Sequence, residues 1–251
     1  MTSVKIATRL HLPAVLAPGE SVEIDAAQAH RLRHVLRLGP GAAIAGFNAR
    51  DGEFLCRVVE LGRNRGLLAV EAQLRAAAPE ADLWLVFAPI KRLRLDWLIE
   101  KGTELGVGAF VPVMTARTQP ERLNRERLTA HAVAAVEQSE RLSVPEIHEL
   151  QPLAALLAAW PAARRLIVCD ETGGGAPIGA ALGAWPAATQ AAILIGPEGG
   201  FTETELDALR NLPFVTTAGL GPRVLRAETA ALAAVVAYQV VAGDWRTTRG
   251  H

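Results

Sequence analysis

Five short apolar runs of strand length recur between residues 83 and 218, and helical periodicity follows four of them. The runs are residues 83–88, Ala109–Met114, Arg165–Cys169, Ala191–Ile195 and 215–218. The helical stretches carry Leu95, Leu98, Ile99, Gly102 and Leu105 on one side, then cover residues 125–138, 203–211 and Ala227–Val241. Apolar runs without alternation suit strands buried on both faces. Strands interleaved with helices predict an α/β domain built on a mainly parallel sheet.

The front of the chain follows a different rule. Residues 22–24, Ala43–Asn48, Gly52–Leu61 and 67–74 read as strands, separated by turns at Arg50-Asp51-Gly52 and at 62–66. One helix is expected at 27–38, stopped by Gly39, Pro40 and Gly41. Residues 75–81 lack apolar alternation and make a linker. A small, mostly β domain is therefore expected at 1–75 and a larger α/β domain at 76–251. With 251 residues, half of them hydrophobic, both cores are affordable.

Charge and cysteine content exclude more than they assign. Lys and Arg total 26, as do Asp and Glu, but residues 1–75 hold ten cations against seven anions. A solvated face explains that asymmetry as well as a nucleic-acid surface does. Cys56 and Cys169 stand in separate apolar segments without further ligands at metal spacing, so neither a disulfide framework nor a metal site is expected. Residues 1–13 contain no apolar run fit for a signal peptide. Residues 229–242 fall short of the roughly 20 needed to span a bilayer. A cytoplasmic protein with no membrane partner is the expectation.

Chemistry concentrates in two turns. Ile193-Leu194-Ile195 runs into Gly196-Pro197-Glu198-Gly199-Gly200-Phe201, and Thr202 with Glu205 forms a capping box that starts the next helix. In open α/β sheets, ligands bind beyond the carboxyl ends of strands, and glycines let backbone groups approach them. The spacing is neither a dinucleotide fingerprint nor a phosphate loop, which disfavours a nicotinamide-dependent oxidoreductase. Glu198 would repel a phosphate but accept a cationic ligand such as a sulfonium. The second turn, Gly219-Leu220-Gly221, leads to Arg223, Arg226 and Glu228 at a helix start. Two such turns suggest two walls of one pocket, although each has a bland reading as a tight turn or as surface charge near a helix dipole.

These segments carry a family resemblance. Gly196-Pro197-Glu198-Gly199-Gly200-Phe201 and Leu220-Gly221-Pro222-Arg223-Val224-Leu225-Arg226-Ala227-Glu228-Thr229-Ala230 resemble the 16S ribosomal RNA (uracil(1498)-N(3))-methyltransferase family, of the RsmE type. His30-Arg31-Leu32-Arg33-His34-Val35-Leu36-Arg37 is similar to that family's N-terminal signature. So are Lys91 with Ile99-Glu100-Lys101-Gly102-Thr103-Glu104-Leu105-Gly106-Val107, and Glu137-Gln138-Ser139-Glu140-Arg141 with Val144-Pro145. Gly102 is a mild departure where relatives often carry Ala.

The resemblance implies a PUA-like β-barrel RNA-binding domain followed by a SPOUT-type α/β domain with a C-terminal trefoil knot, which general experience of unknotted chains would not predict. It implies S-adenosyl-L-methionine as cofactor, held by Leu194, Gly196, Pro197, Glu198, Gly199, Gly200, Leu220, Gly221, Val224 and Leu225. It implies methylation of uridine N3 in 16S ribosomal RNA, possible only on an unpaired base, by a homodimer acting on naked RNA or on the assembled small subunit. The catalytic expectation is that Arg226 stabilises negative charge on the uracil oxygens while Glu198 or Glu228 takes the proton. Holding the reactants in line supplies ~7–11 kcal/mol without a base, so a base is not mandatory. His30, Arg33, His34 and Arg37 fall on one face at helical spacing and, with Arg9 and Arg31, offer a phosphate-contacting surface; a merely solvated helix explains the set equally. Two alternatives stay open: a knotted methyltransferase acting on ribose 2′-hydroxyls or transfer RNA, and a non-catalytic RNA-binding factor.

Overall fold

The computed structural model describes residues 4–118, 123–170, 172, 174–186 and 189–246. The chain divides into two compact units, Met1–Pro79 with Val136–Val144, and Glu80–Ala135 with Pro145–His251.

Among the described residues of the first unit, five strands form one sheet in the order β1 (Arg9–His11), β3 (Ala43–Asn48), β4 (Gly52–Leu61), β5 (Gly66–Arg75), β2 (Ser21–Ile24). β1 pairs parallel with β3, and the other pairs are antiparallel. β4 begins with alternating burial, as a sheet with one covered face requires. Its inward residues join Leu10, Val22, Ile24, Leu32 and Ile44 in the core.

The helix expected at 27–38 is shorter and wound differently. An Asp25–Gln28 capping box opens α1 (Ala26–His30), and a π-helical turn follows at Arg31–Val35. There the Leu36 amide donates to the Arg31 carbonyl and the Leu38 amide to Leu32. This widened turn keeps Leu32 buried while Val35 and Leu36 stay exposed. Arg37 has left the helix, with φ at 55°.

Residues 136–144, placed in the second domain by the sequence reading, belong to the first unit. Val136 and Leu142 pack on Phe47, which is fully buried. Arg9 fixes the segment by donating to the carbonyls of Val136, Glu137 and Arg141 at 3.0, 3.2 and 2.9 Å.

The second unit is α/β. Its strands β6 (Leu83–Phe87), β7 (Ala109–Met114), β8 (Glu146–Ile147), β10 (Arg165–Cys169), β11 (Ala176–Pro177), β12 (Ala191–Ile195) and β13 (Val215–Gly219) lie in the order β11-β13-β10-β12-β6-β7-β8. β9 (Gln151–Pro152) also pairs with β7. Every pairing is parallel, so the strands end on one common edge. The chain runs from β6 outward to β7 and returns on the other side through β10, β12 and β13. That reversal between β6 and β12 is where ligands bind in such sheets.

Helices α2 (Arg92–Glu104), α3 (Arg125–Ser139), α6 (Glu203–Arg210) and α7 (Ala227–Val241) match the sequence reading closely. The short helices α4 (Leu153–Ala158) and α5 (Ile178–Gly183) were not foreseen. At the amino ends of the strands, the buried Arg164 guanidinium lies 3.9 Å over the Trp84 ring and grips both Asp82 carboxylate oxygens. None of the described helices is long and apolar enough to cross a membrane.

Candidate active site

The carboxyl ends of β10, β12 and β13, with the starts of α2 and α7, enclose a cavity of about 480 Å³. Its walls come from Lys91 and Arg94, from Cys169 and Asp170, from residues 195–198 with Gly200, and from residues 219–221, 223–227 and 230. Both glycine turns therefore meet in one place, on either side of the carboxyl end of β10, to which both of their strands pair in parallel.

The first turn is tightly braced. Phe201 is buried beneath it, and a Cβ on Gly196 would lie 2.9 Å from the Phe201 ring. Gly200 sits at φ 69°, a region costly for side-chain-bearing residues. The Arg117 guanidinium donates to the Gly199 carbonyl at 2.7 Å and to the Phe201 carbonyl at 3.3 Å. Thr202 caps α6 reciprocally with Glu205, whose other oxygen accepts from the Ala116 amide at 2.7 Å. Burial pushes the Glu205 carboxyl up, and the donors at Thr202 and Ala116 outweigh it, so the group lies below its usual range.

The second turn is open. A Cβ on Gly219 or Gly221 would meet nothing within 4 Å, and Val224 is 91% exposed. Arg226 is the N-cap of α7, without a side-chain cap bond.

Two buried groups form part of the wall. Burial pushes the Cys169 thiol up to about 12, so it stays protonated near neutrality and is no nucleophile. Asp170 is fully buried and accepts from the Thr172 amide and hydroxyl at 2.9 and 2.6 Å and from Arg210 at 2.8 Å. Burial alone would raise its carboxyl; the Thr172 and Arg210 donors more than reverse that and keep it below the usual carboxylate range.

The cavity brings together most of the expected cofactor residues: Gly196, Pro197, Glu198, Gly200, Leu220, Gly221, Val224 and Leu225, with Arg226 beside them. Leu194 is not on the wall. Successive strand residues face opposite ways, so Ile195 lines the cavity while Leu194 packs with Phe201 and Leu206 in the core. Gly199 is also off the wall; its Cβ direction points at Arg117.

The expected carboxylates separate. Glu198 lies on the wall, half-exposed, 2.7 Å from Arg94. Glu228 is buried, with Oε1 3.4 Å from Arg94 Nε and Oε2 lacking a hydrogen-bond partner among the described residues. Arg94 thus links both carboxylates. The sequence reading passed over it, and over Asp170; the only available signal for Arg94 was its nearness to Lys91 in the α2 motif.

The basic set of the first unit needs correction. Arg9 is not a surface residue: its side chain is 12% exposed, lies 4.0 Å over the Phe47 ring and pairs with Glu53 at 2.5 Å. Arg31 pairs with Glu137 at 2.5 Å. His30 and His34 stay exposed with rings 4.8 Å apart, and Arg33 reaches the Leu61 carbonyl at 3.5 Å. No single 3.6-residue face runs on to Arg37, because the π turn intervenes. Among the described residues, no cluster of ligating side chains suits a metal ion.

Known proteins share this architecture. The model of the RNA methyltransferase domain matches residues 77–239. The ribosomal RNA small subunit methyltransferase E of Rickettsia conorii is 31% identical over 228 residues, 90% of this chain and 93% of that protein. Its Bacillus subtilis counterpart is 31% identical over 86% of this chain and 89% of its own length. The Neisseria gonorrhoeae ribosomal RNA small subunit methyltransferase E, crystallised bound to S-adenosyl methionine, superposes with a TM-score of 0.83 at 27% identity, covering 95% and 99% of the two chains. With a family model over most of the chain and relatives matched nearly end to end, the chain belongs to the ribosomal RNA small subunit methyltransferase E family of RNA methyltransferases.

Proposed function

We propose that the protein transfers the methyl group of S-adenosyl-L-methionine to N3 of a uridine in 16S ribosomal RNA. The observation that carries this reading is the cavity where two glycine turns meet beyond parallel strands that flank β10. Its volume suits a drug-sized ligand. Gly196, Gly200, Gly219 and Gly221 line it without side chains, so that a ligand can approach their backbone, and Asp170 and Glu198 supply negative charge compatible with a sulfonium. Bound there, the cofactor supplies an electrophilic methyl group. Gly196, Pro197, Gly200, Leu220, Gly221, Val224 and Leu225 would hold it.

The remaining chemistry belongs to the chain. Methylation at N3 removes the N3 proton, leaving negative charge spread over the uracil oxygens. Arg226, at the cavity and free of counter-ions among described residues, is placed to stabilise that charge. Glu198 is the half-exposed carboxylate on the wall, Asp170 being buried against Arg210, and takes the proton. Glu228 acts through Arg94, whose guanidinium it helps orient toward Glu198.

The family context supports four finer readings. The second unit is a SPOUT domain whose C-terminal segment is knotted. The first unit is a PUA-like RNA-binding domain, using His30, Arg33, His34 and Arg37. The working form is a homodimer, in which the Ala-rich α7 allows close packing. The protein works in the cytoplasm, on small-subunit RNA.

The direct test is calorimetric titration with S-adenosylmethionine, followed by methylation of small-subunit RNA and mass mapping of the product. Stoichiometric binding and a base-methylated uridine are expected. A methyl group on ribose would replace the N3 reading with a 2′-hydroxyl one, and a folded protein without cofactor binding would return it to a non-catalytic RNA-binding factor. Glu198→Gln should lower kcat by about a hundredfold, the usual scale of a general base. Near-normal turnover would remove that role.

A further inference from the structure

The charged wall of the cavity is unbalanced. It consists of Lys91, Arg94, Asp170, Glu198, Arg223 and Arg226. Asp170 is taken by Arg210 at 2.8 Å, and Arg94 is shared by Glu198 at 2.7 Å and Glu228 at 3.4 Å. Lys91, Arg223 and Arg226 make no ion pair with any described residue. Elsewhere in this unit Arg125, Arg127 and Arg164 each hold a carboxylate, while Arg92 and Arg165, which pair with no described carboxylate, are not on the cavity wall.

Helix geometry adds to the excess. Lys91 and Arg226 are the N-caps of α2 and α7, helices of 13 and 15 residues, and neither cap residue gives its helix a side-chain hydrogen bond. Uncapped amides and helix dipoles make both starts attractive to anions.

S-adenosylmethionine cannot balance this. It carries a sulfonium and an ammonium against one carboxylate, so its own net charge is positive. An anionic second ligand is needed, and RNA supplies a phosphodiester at every nucleotide. We propose that Lys91 and Arg223 hold the phosphates flanking the target uridine, leaving Arg226 for the base. The catalytic unit would then grip RNA itself, in addition to the basic residues of the first unit. This deepens the methyltransferase reading and rests on it.

The test compares the wild type with Lys91→Ala, Arg223→Ala and the double variant, each saturated with S-adenosylmethionine. Arg165→Ala, at an exposed cation on the opposite end of β10, is the control. Fluorescence anisotropy measures binding of a single-stranded oligoribonucleotide with one uridine, at about 50 to 200 mM salt. The salt slope should become shallower by about 0.7 for each cation removed, with the control unchanged. Affinity should fall about tenfold in the double variant, while calorimetric affinity for S-adenosylmethionine stays the same. Slopes equal to the wild type overturn the proposal while leaving the methyltransferase reading intact. So does a loss of cofactor affinity at unchanged slope, which would assign these cations to the cofactor carboxylate. A wild type that takes up no cofactor ends the reading itself, and this proposal with it, before any variant is compared.

Discussion

The two glycine turns look alike in sequence and are built on opposite principles. The turn after β12 is a fixed wall: Phe201 fills the space under Gly196, Arg117 ties down two carbonyls, and the capping box anchors its exit. The turn after β13 has no such support, and its glycines face open space. In the first, glycine is demanded by the protein's own packing; the backbone asks for glycine in both, at Gly200 with φ 69° and at Gly221 with φ 96°. In the second, packing leaves Gly219 unconstrained, so a ligand is the better reason for its lack of a side chain. A glycine-rich turn is therefore informative only once its surroundings are known.

That contrast can be broken by substitution. The largest effect should follow Phe201→Ala, which empties the base of the braced turn and should cost about 3–5 kcal/mol in chemical denaturation. A loss below ~1 kcal/mol would show that the brace is not packed as described. Next comes Gly219→Ala. Stability should stay within ~0.5 kcal/mol of wild type, while affinity for S-adenosylmethionine falls about tenfold as the methyl group intrudes on the ligand. Unchanged affinity would mean that the open turn is not a cofactor wall.

Arg117→Ala should be milder. The side chain is exposed, so removing its hydrogen bonds should cost about 1 kcal/mol. The cofactor should bind severalfold more weakly, read by calorimetry. The smallest effect concerns Asp170, just past the end of β10, the strand between the two that carry the turns. Its carboxyl is depressed in the folded state, so its stabilising contribution is complete above the unfolded value of about 3.9. The contribution is lost as pH falls through the lower folded value. Denaturation of wild type and Asp170→Asn should therefore converge as the medium is acidified from pH ~5 toward ~2. Parallel curves would mean that Asp170 is not ionised in the fold.

Local signals were readable from the sequence and long-range ones were not. The apolar runs of the second unit gave its central strands almost to the residue, and the Thr202–Glu205 pair gave the start of α6, because both depend on neighbours within a few positions. The role of Arg9 depended on carbonyls more than 120 residues away. The same holds for residues 136–144, whose partner Phe47 lies far back in the chain. At Arg31–Val35 a 3.6-residue reading failed since the π turn leaves no compositional mark. Among site residues, both turns were legible, but the facing of Leu194 and Gly199 was not, and Arg94 required knowing that α2 begins beside them.

The interleaved first unit sets a timetable for synthesis. When residue 79 leaves the ribosome, its sheet can pair, yet Phe47 has only Arg9 and His11 against its ring, without Val136 and Leu142, and Arg9 lacks the carbonyls of residues 136, 137 and 141. Completion waits until about 65 more residues emerge, a delay of several seconds at ordinary elongation rates of ~5–20 residues per second. A nascent chain stalled in that interval leaves the side of Phe47 that Val136 and Leu142 later cover open to solvent. A gene fragment ending at residue 79 would remain in that state.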